Sequence, residues 1–151
     1  MPPDLIIRPV AERDAPHWRR LWCDYLAFYH TTVAEEVYET SFKRLLDPNW
    51  PDLNGLIAET NGTPTGLVHY IFHRHMWRQD DVCYLQDLFV DPSARGTGMG
   101  RALIEAVYDK ADAAGAPTVY WMTQTHNSTA RQLYDRIADL TDFIKYQRSP
   151  Q

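Results

Sequence analysis

Val82-Cys83-Tyr84-Leu85-Gln86-Asp87-Leu88-Phe89-Val90-Asp91-Pro92-Ser93-Ala94-Arg95-Gly96-Thr97-Gly98-Met99-Gly100 is the stretch from which the rest of the chain can be ordered. Its first nine residues are mostly apolar and aromatic and read as a strand. Asp91-Pro92 ends it. Beyond the glycines, Leu103, Ile104, Val107, Tyr108, Ala111 and Ala114 recur at helical spacing, and Gly115 and Pro117 close that helix. Strand, glycine turn and helix in this order suit an anion. Glycines allow positive φ and close backbone approach, and a helix N-terminus presents N–H groups with partial positive charge. A plain structural turn is the other reading of three alternating glycines. Two nucleotide motifs fail on spacing. A P-loop needs Lys-Ser/Thr after its last glycine, where Arg101-Ala102 stand. A dinucleotide fingerprint needs Gly-x-Gly-x-x-Gly, and the spacing here is Gly-x-Gly-x-Gly.

On the N-terminal side, Leu5–Val10 reads as a strand. Trp18, Leu21, Trp22, Tyr25, Leu26 and Tyr29 form a helical stripe over Ala15–Tyr29. A second helix runs from about Ala34 to Leu46 and stops at Asp47-Pro48-Asn49. Leu56–Glu59 and Gly66–Phe72 are strands joined through Asn61-Gly62, a hairpin signal, with Pro64 implying a loop longer than two residues. On the C-terminal side come a strand at Thr118–Thr123, a helix marked by Ala130, Leu133, Tyr134 and Ile137 with Asn127 or Ser128 as N-cap, and a last strand at Phe143–Tyr146. The order is strand, two helices, three strands, helix, strand, helix, strand: a mixed α/β (α+β) sandwich.

The chain has 151 residues, which suits a single domain spanning 1–151. No run of 18 apolar residues exists, so no membrane span is predicted. Met1-Pro2-Pro3-Asp4 lacks the features of a secretory signal, and a cytoplasmic location is expected. The formal charge of −5 disfavours nucleic acid as a partner and favours a cationic substrate. Cys23 and Cys83 read as two buried, inert thiols. His69, His73 and His75 share a strand face by parity. Neighbours on one strand face do not converge as metal ligands must, so no metal is expected.

With the glycine loop and its flanks in view, the sequence resembles the GNAT superfamily of N-acetyltransferases. Arg95, Gly98 and Gly100 match its cofactor signature, Arg/Gln-x-x-Gly-x-Gly/Ala after a strand. The resemblance covers nearly the whole chain and is strongest across Tyr84–Val107 and Asn127–Tyr134. Tyr84–Pro92 is similar to the branch holding the polyamine, yeast-type histone/polyamine and D-amino-acid acetyltransferases. It implies a mainly antiparallel sheet with a splayed central strand pair, flanked by about four helices. Acetyl-CoA is the implied co-substrate, and a small-molecule primary amine such as a polyamine or amino acid the implied acceptor. A protein lysine or N-terminus, or a non-catalytic acyl-CoA-binding module, are the other readings. A homodimer is common in the family.

The resemblance also implies roles for residues. Leu88, Phe89 and Val90 would line the pantetheine arm. Arg95, Gly96, Thr97, Gly98, Met99, Gly100 and Arg101 would hold the pyrophosphate, with Asn127 and Arg131 also on the cofactor. Asn127-Ser128-Thr129-Ala130-Arg131-Gln132-Leu133-Tyr134 resembles the family's Asn-x-x-Ala-x-x-x-Tyr segment, making Tyr134 the acid for the departing thiolate. Tyr134 also falls on the Ala130/Leu133/Ile137 stripe, where it would simply pack. The base is open between Asp87, Glu59 and a water chain. Relatives among the polyamine enzymes carry Glu where Gln86 stands, and Gln accepts no proton in this role. Strand alternation turns Asp87 to the opposite face unless a bulge intervenes. Tyr25, Tyr29 and Gln86 are expected at the acceptor, and Glu35, Glu36 and Glu39 either attract a polyamine or form a solvated helix face.

Overall fold

The computed structural model describes residues 4–150. Met1-Pro2-Pro3, the stretch read above for a signal, and Gln151 lie outside the described residues. The chain divides into two compact units, one ending at Trp121 and one beginning at Met122, and each is taken by itself.

The first unit is a five-stranded sheet in the order β1-β2-β3-β4-β5, with β1 Leu5–Pro9, β2 Leu53–Thr60, β3 Thr63–His73, β4 Val82–Val90 and β5 Val119–Tyr120. The first four strands are antiparallel to their neighbours, and β5 runs parallel to β4. Three helices accompany the sheet: α1 Ala15–Phe28, α2 Glu35–Leu46 and α3 Met99–Ala113. The α1 stripe supplies Trp18, Leu21, Trp22 and Leu26 to one core, where they meet Val10, Tyr38, Ile57, Leu67 and Phe89. Helix α3 packs on β3 and β4, burying Met99, Leu103, Ile104 and Val107. Gly66 makes room for it: a Cβ there would stand 2.9 Å from Met99 Sδ and 3.2 Å from Leu103 Cδ1.

The hairpin between β2 and β3 closes in two residues, shorter than Pro64 suggested. Asn61 and Gly62 both take positive φ, 53° and 78°, the primed geometry that matches strand twist. Pro64 is absorbed inside β3 because the register slips beside it: Ala58 pairs with Gly66 and Glu59 with Pro64, leaving Thr65 unmatched.

The second unit holds α4, Ser128–Ile137. The strand expected at Phe143–Tyr146 does not form. Those residues carry no regular structure, and Phe143, Ile144 and Tyr146 are 77–90% exposed. β5 is likewise shorter than the Thr118–Thr123 expected. With no strand beyond it, the β4/β5 pair stands at the sheet edge among the described residues rather than at its centre.

One ion cluster ties β1 to β2 and to the turn before α1. Arg8 grips Asp14 with both terminal nitrogens, at 2.7 and 2.8 Å, and reaches Glu59 at 2.9 Å. Asp14, 2% exposed, also accepts the Ala11 N–H at 2.7 Å. Glu59 is thus engaged in this structural cluster. The Arg8 guanidinium holds the Asp14 carboxyl below the usual carboxylate range, against the opposite push of burial. A depressed carboxylate stabilises the fold above its unfolded value of about 3.9, and that contribution fades as pH falls through the lower folded value. Asp14→Asn should therefore cost about 3–5 kcal/mol near pH 7. The difference from wild type should shrink on acidification below about pH 4. Calorimetric melting from neutral pH into acid checks this; a gap that stays constant with pH would contradict it.

Candidate active site

The segment after β4 makes one 3₁₀ turn, Pro92–Ala94, before the glycines. Asp91 anchors it by accepting from Ser93 N–H at 3.0 Å and from Arg20 at 3.0 Å. Gly96 and Gly98 then take φ of 78° and 84°, the left-handed region that glycine enters without penalty. Gly98 is the N-cap of α3, so the N–H groups of Met99, Gly100 and Arg101 begin a helix and have no partner within it. The space beside Gly96 is open, with no atom within 4 Å of a built Cβ. Arg95 folds back so that its Nε donates to the Val90 carbonyl at 3.0 Å while its guanidinium lies 5.6 Å from the Phe89 ring. Thr97 braces the loop by donating to the Ala94 carbonyl at 2.6 Å, and Arg101 pairs along the helix with Glu105 at 2.8 Å. Exposed glycines, free helix-start donors and a cation at the rim fit a diphosphate.

The strand leading into this loop is paired on one side only for most of its length. β5 matches β4 at Cys83–Val119 and Tyr84–Tyr120 and then stops. From Leu85 to Val90 no strand covers the outer edge of β4 among the described residues. The pair parts as expected, although at the sheet edge rather than at its centre, and it leaves main-chain groups able to bond an extended arm. On the inner side, His69 pairs with Asp87 but Tyr70 pairs with Leu85, so Gln86 is an extra, unmatched residue. The bulge that Asp87 required is present. It sends Asp87 and Phe89 under α1, and leaves Gln86 exposed.

Under α1, Asp87 is 7% exposed and its Oδ2 accepts from Trp22 Nε1 at 3.2 Å and bonds His69 Nδ1 at 2.8 Å. Trp18 Nε1 donates to His69 Nε2 at 2.9 Å. The Tyr25 hydroxyl lies 3.5 Å from the Gln86 carbonyl, and the Tyr29 ring packs tilted against the Tyr25 ring, their centroids 5.2 Å apart. Burial and then the Asp87 charge push the Tyr25 phenol far above its ordinary range. Tyr25, Tyr29, Gln86 and Asp87, expected together, thus do come together at the bulge. Glu35 is tied to Arg19, and Glu36 and Glu39 are exposed, as a solvated helix face requires.

In the second unit, Asn127, Arg131 and Tyr134 fall at i, i+4 and i+7 and so share one face at the start of α4. Asn127 holds the N-cap position without capping; its side chain donates to Thr123 Oγ1 at 3.1 Å. Arg131 donates to the Thr125 carbonyl at 2.7 Å.

The sequence reading missed the partners of Asp87. His69, set aside with His73 and His75 as a metal ligand, is the residue that meets it. The signal was available in Trp18 and Trp22, two indoles four residues apart and therefore on one helix face. His73 instead bonds Tyr120 Oη at 2.7 Å, and His75 accepts from the Trp77 N–H at 3.1 Å. Cys23 is exposed, contrary to the expectation of two buried thiols. Cys83 is buried, and burial pushes its thiol up to about 11.

Comparison with known proteins fits this geometry. The Acetyltransferase (GNAT) family matches residues 16–138. The D-amino-acid N-acetyltransferase HPA3 of Saccharomyces cerevisiae is 37% identical over 146 residues, 96% of this chain and 91% of that protein. The uncharacterized N-acetyltransferase YhfO of Bacillus subtilis is 31% identical over 142 residues, 93% and 94% of the two chains. Among solved structures, AAC(6')-Iy in complex with the bisubstrate analogue CoA-S-monomethyl-acetylneamine shares the fold with a TM-score of 0.84 at 20% identity, covering 97% of this chain and 99% of that one. The chain belongs to the GNAT acetyltransferase family, and it is an N-acetyltransferase.

Gly98→Val forces a branched side chain into the left-handed region at the helix N-cap, a strain of about 1–2 kcal/mol. Together with displaced donors this should raise the coenzyme A dissociation constant about tenfold or more by titration calorimetry. Gly115→Val, likewise a branched side chain in the left-handed region but just past the far end of α3, should leave it unchanged. Equal losses in both variants would mean that the loop has no special part in binding.

Proposed function

We propose that this chain transfers the acetyl group of acetyl-CoA to a primary amine on a small molecule, an amino acid, a polyamine or a related metabolite, by direct attack. The observation that carries the reading is the uncovered edge of β4 running from the Gln86 bulge into the glycine start of α3. One end offers a carboxylate and aromatic hydroxyls, the other a diphosphate cradle. The D-amino-acid acceptor named for the yeast relative supports the amine class.

The cofactor supplies an activated acetyl thioester. The edge of Leu88–Val90 would hold its extended arm, and the amides from Gly96 to Arg101 with Arg95 its diphosphate. The ammonium first gives up one proton to solvent; the amine nitrogen then forms a bond to the carbonyl carbon, the carbon–sulfur bond breaks, the nitrogen loses a second proton and the sulfur takes one. An alkylamine of pKa about 10.4 is almost wholly ammonium at neutral pH, and freeing it costs about 4–5 kcal/mol. Asp87 is the group we assign to meet that amine, with Tyr25, Tyr29 and Gln86 around it. Tyr134 is the acid we assign to the thiolate, on its place in the Asn127–Tyr134 segment. The acidic balance of the chain favours delivery of cations. Exposed apolar residues at Phe143–Tyr146 support a homodimer, and free cysteines a reducing, cytoplasmic setting.

A panel of primary amines (D-amino acids, spermidine, an aminoglycoside) assayed by thiol release from acetyl-CoA tests the function. Acetylation of none would overturn it. Tyr134→Phe should lower kcat about 10²- to 10⁴-fold while coenzyme A affinity stays within about threefold. An unchanged kcat would remove the acid role.

A further inference from the structure

Every group around the Asp87 carboxylate gives a hydrogen and none gives a positive charge. An indole N–H can only donate. Trp18 Nε1 lies 2.9 Å from His69 Nε2, so that nitrogen must accept. The ring's proton therefore sits on Nδ1, which donates to Asp87 at 2.8 Å, and the imidazole is neutral. Trp22 adds a second neutral donor to the same oxygen. Tyr25, held as a phenol, sits against the carboxylate as well. No Lys or Arg pairs with Asp87 among the described residues. Arg8, Arg19 and Arg20 are committed to Asp14 and Glu59, to Glu35, and to Asp91. The other elements against His69 add no charge: β2 presents Gly55, and Tyr38 of α2 packs on the indoles.

A carboxylate taken out of water beside neutral donors keeps an uncompensated desolvation cost. A second proton on His69 would remove that imbalance, and the Trp18 indole occupies the nitrogen that would take it. Both indoles come from one helix face, their rings 5.2 Å apart, so the arrangement is held by the α1 core rather than by solvent-exposed side chains.

We propose that His69 is a positioning residue for the acetyl acceptor: fixed by Trp18 in its neutral Nδ1–H form, it orients Asp87 as a buried negative charge without a counter-ion, and the substrate's ammonium completes the pair. The proposal rests on the amine-acetyltransferase reading and deepens it by naming the cationic form of the acceptor as the one bound.

The test uses the full chain loaded with coenzyme A and labelled with ¹⁵N. Long-range proton–nitrogen spectra at neutral pH should show His69 protonated on Nδ1 alone; protonation on Nε2, alone or in addition, would overturn the proposal. Methylammonium chloride, small enough to reach a nearly closed site, should shift the Trp22 indole and His69 signals saturably, beyond sodium chloride at equal ionic strength. The dissociation constant should rise about tenfold in Asp87→Asn and in His69→Leu. His69→Asn, whose amide N–H replaces the Nδ1–H, should recover most of the loss. Absence of a saturable shift in wild type, or equal losses in the Leu and Asn variants with melting temperatures matched, would overturn it. Because no turnover is read, failure of the amine panel would remove the acetyl-transfer assignment while these spectra still decide the role of His69.

Discussion

Between Leu85 and Asp87 the fourth strand carries one residue more than the third, and that misfit reverses which side chains face α1. Before it, Cys83 and Leu85 are buried on the α3 side with Tyr70; after it, Asp87 and Phe89 lie under the indoles and rings of α1. Without the extra residue, Asp87 would point at the largely apolar α3 core. The same step releases Gln86 from pairing, and β5 has already ended two residues earlier. The placed carboxylate and the open strand edge thus fall at adjacent points, the first set by the bulge and the second by the end of β5.

The two buried acids of the first unit illustrate opposite electrostatic solutions. Asp14 is matched by Arg8 in a two-pronged bond, with Glu59 sharing the same guanidinium, and this cluster closes the β1/β2 end of the sheet. Asp87 has hydrogen bonds in comparable number but no cation. A protein that needed only a satisfied carboxylate could have used the first solution twice. Hydrogen bonds alone fix the direction of the second carboxylate while leaving it without a cation among the described residues, the property on which the proposed pairing with an amine rests.

Much of this was legible in the chain itself. Helical periodicity located all four α-helices, and runs of apolar and aromatic residues bounded by turn signals located the four long strands. The glycine loop was legible because backbone conformation at Gly96 and Gly98 is imposed by residue type. The bulge was not. Leu85-Gln86-Asp87 carries no glycine or proline, and the slip depends on register with a strand many positions away. For the same reason Pro64 suggested a longer hairpin loop than the two residues that close it. Phe143–Tyr146 has strand composition without strand structure, because composition cannot supply a neighbouring strand. The partners of His69 were not legible from its own strand, because they stand on α1 and β4.

Gly66 shows how tightly the cofactor end is tied to the core. Its missing side chain is the space into which Met99 and Leu103 settle, and Met99 is the first residue of α3, directly after the left-handed Gly98. The volume at 66, 99 and 103 is therefore a shared quantity, exchangeable only as a set. Enlargement at one position without shrinkage at another would lift the start of the helix and carry the anion-facing amides with it. Selection acting on the proposed grip for the diphosphate would then register as covariation among three interior positions, through the packing of their side chains rather than through any ligand contact those side chains make.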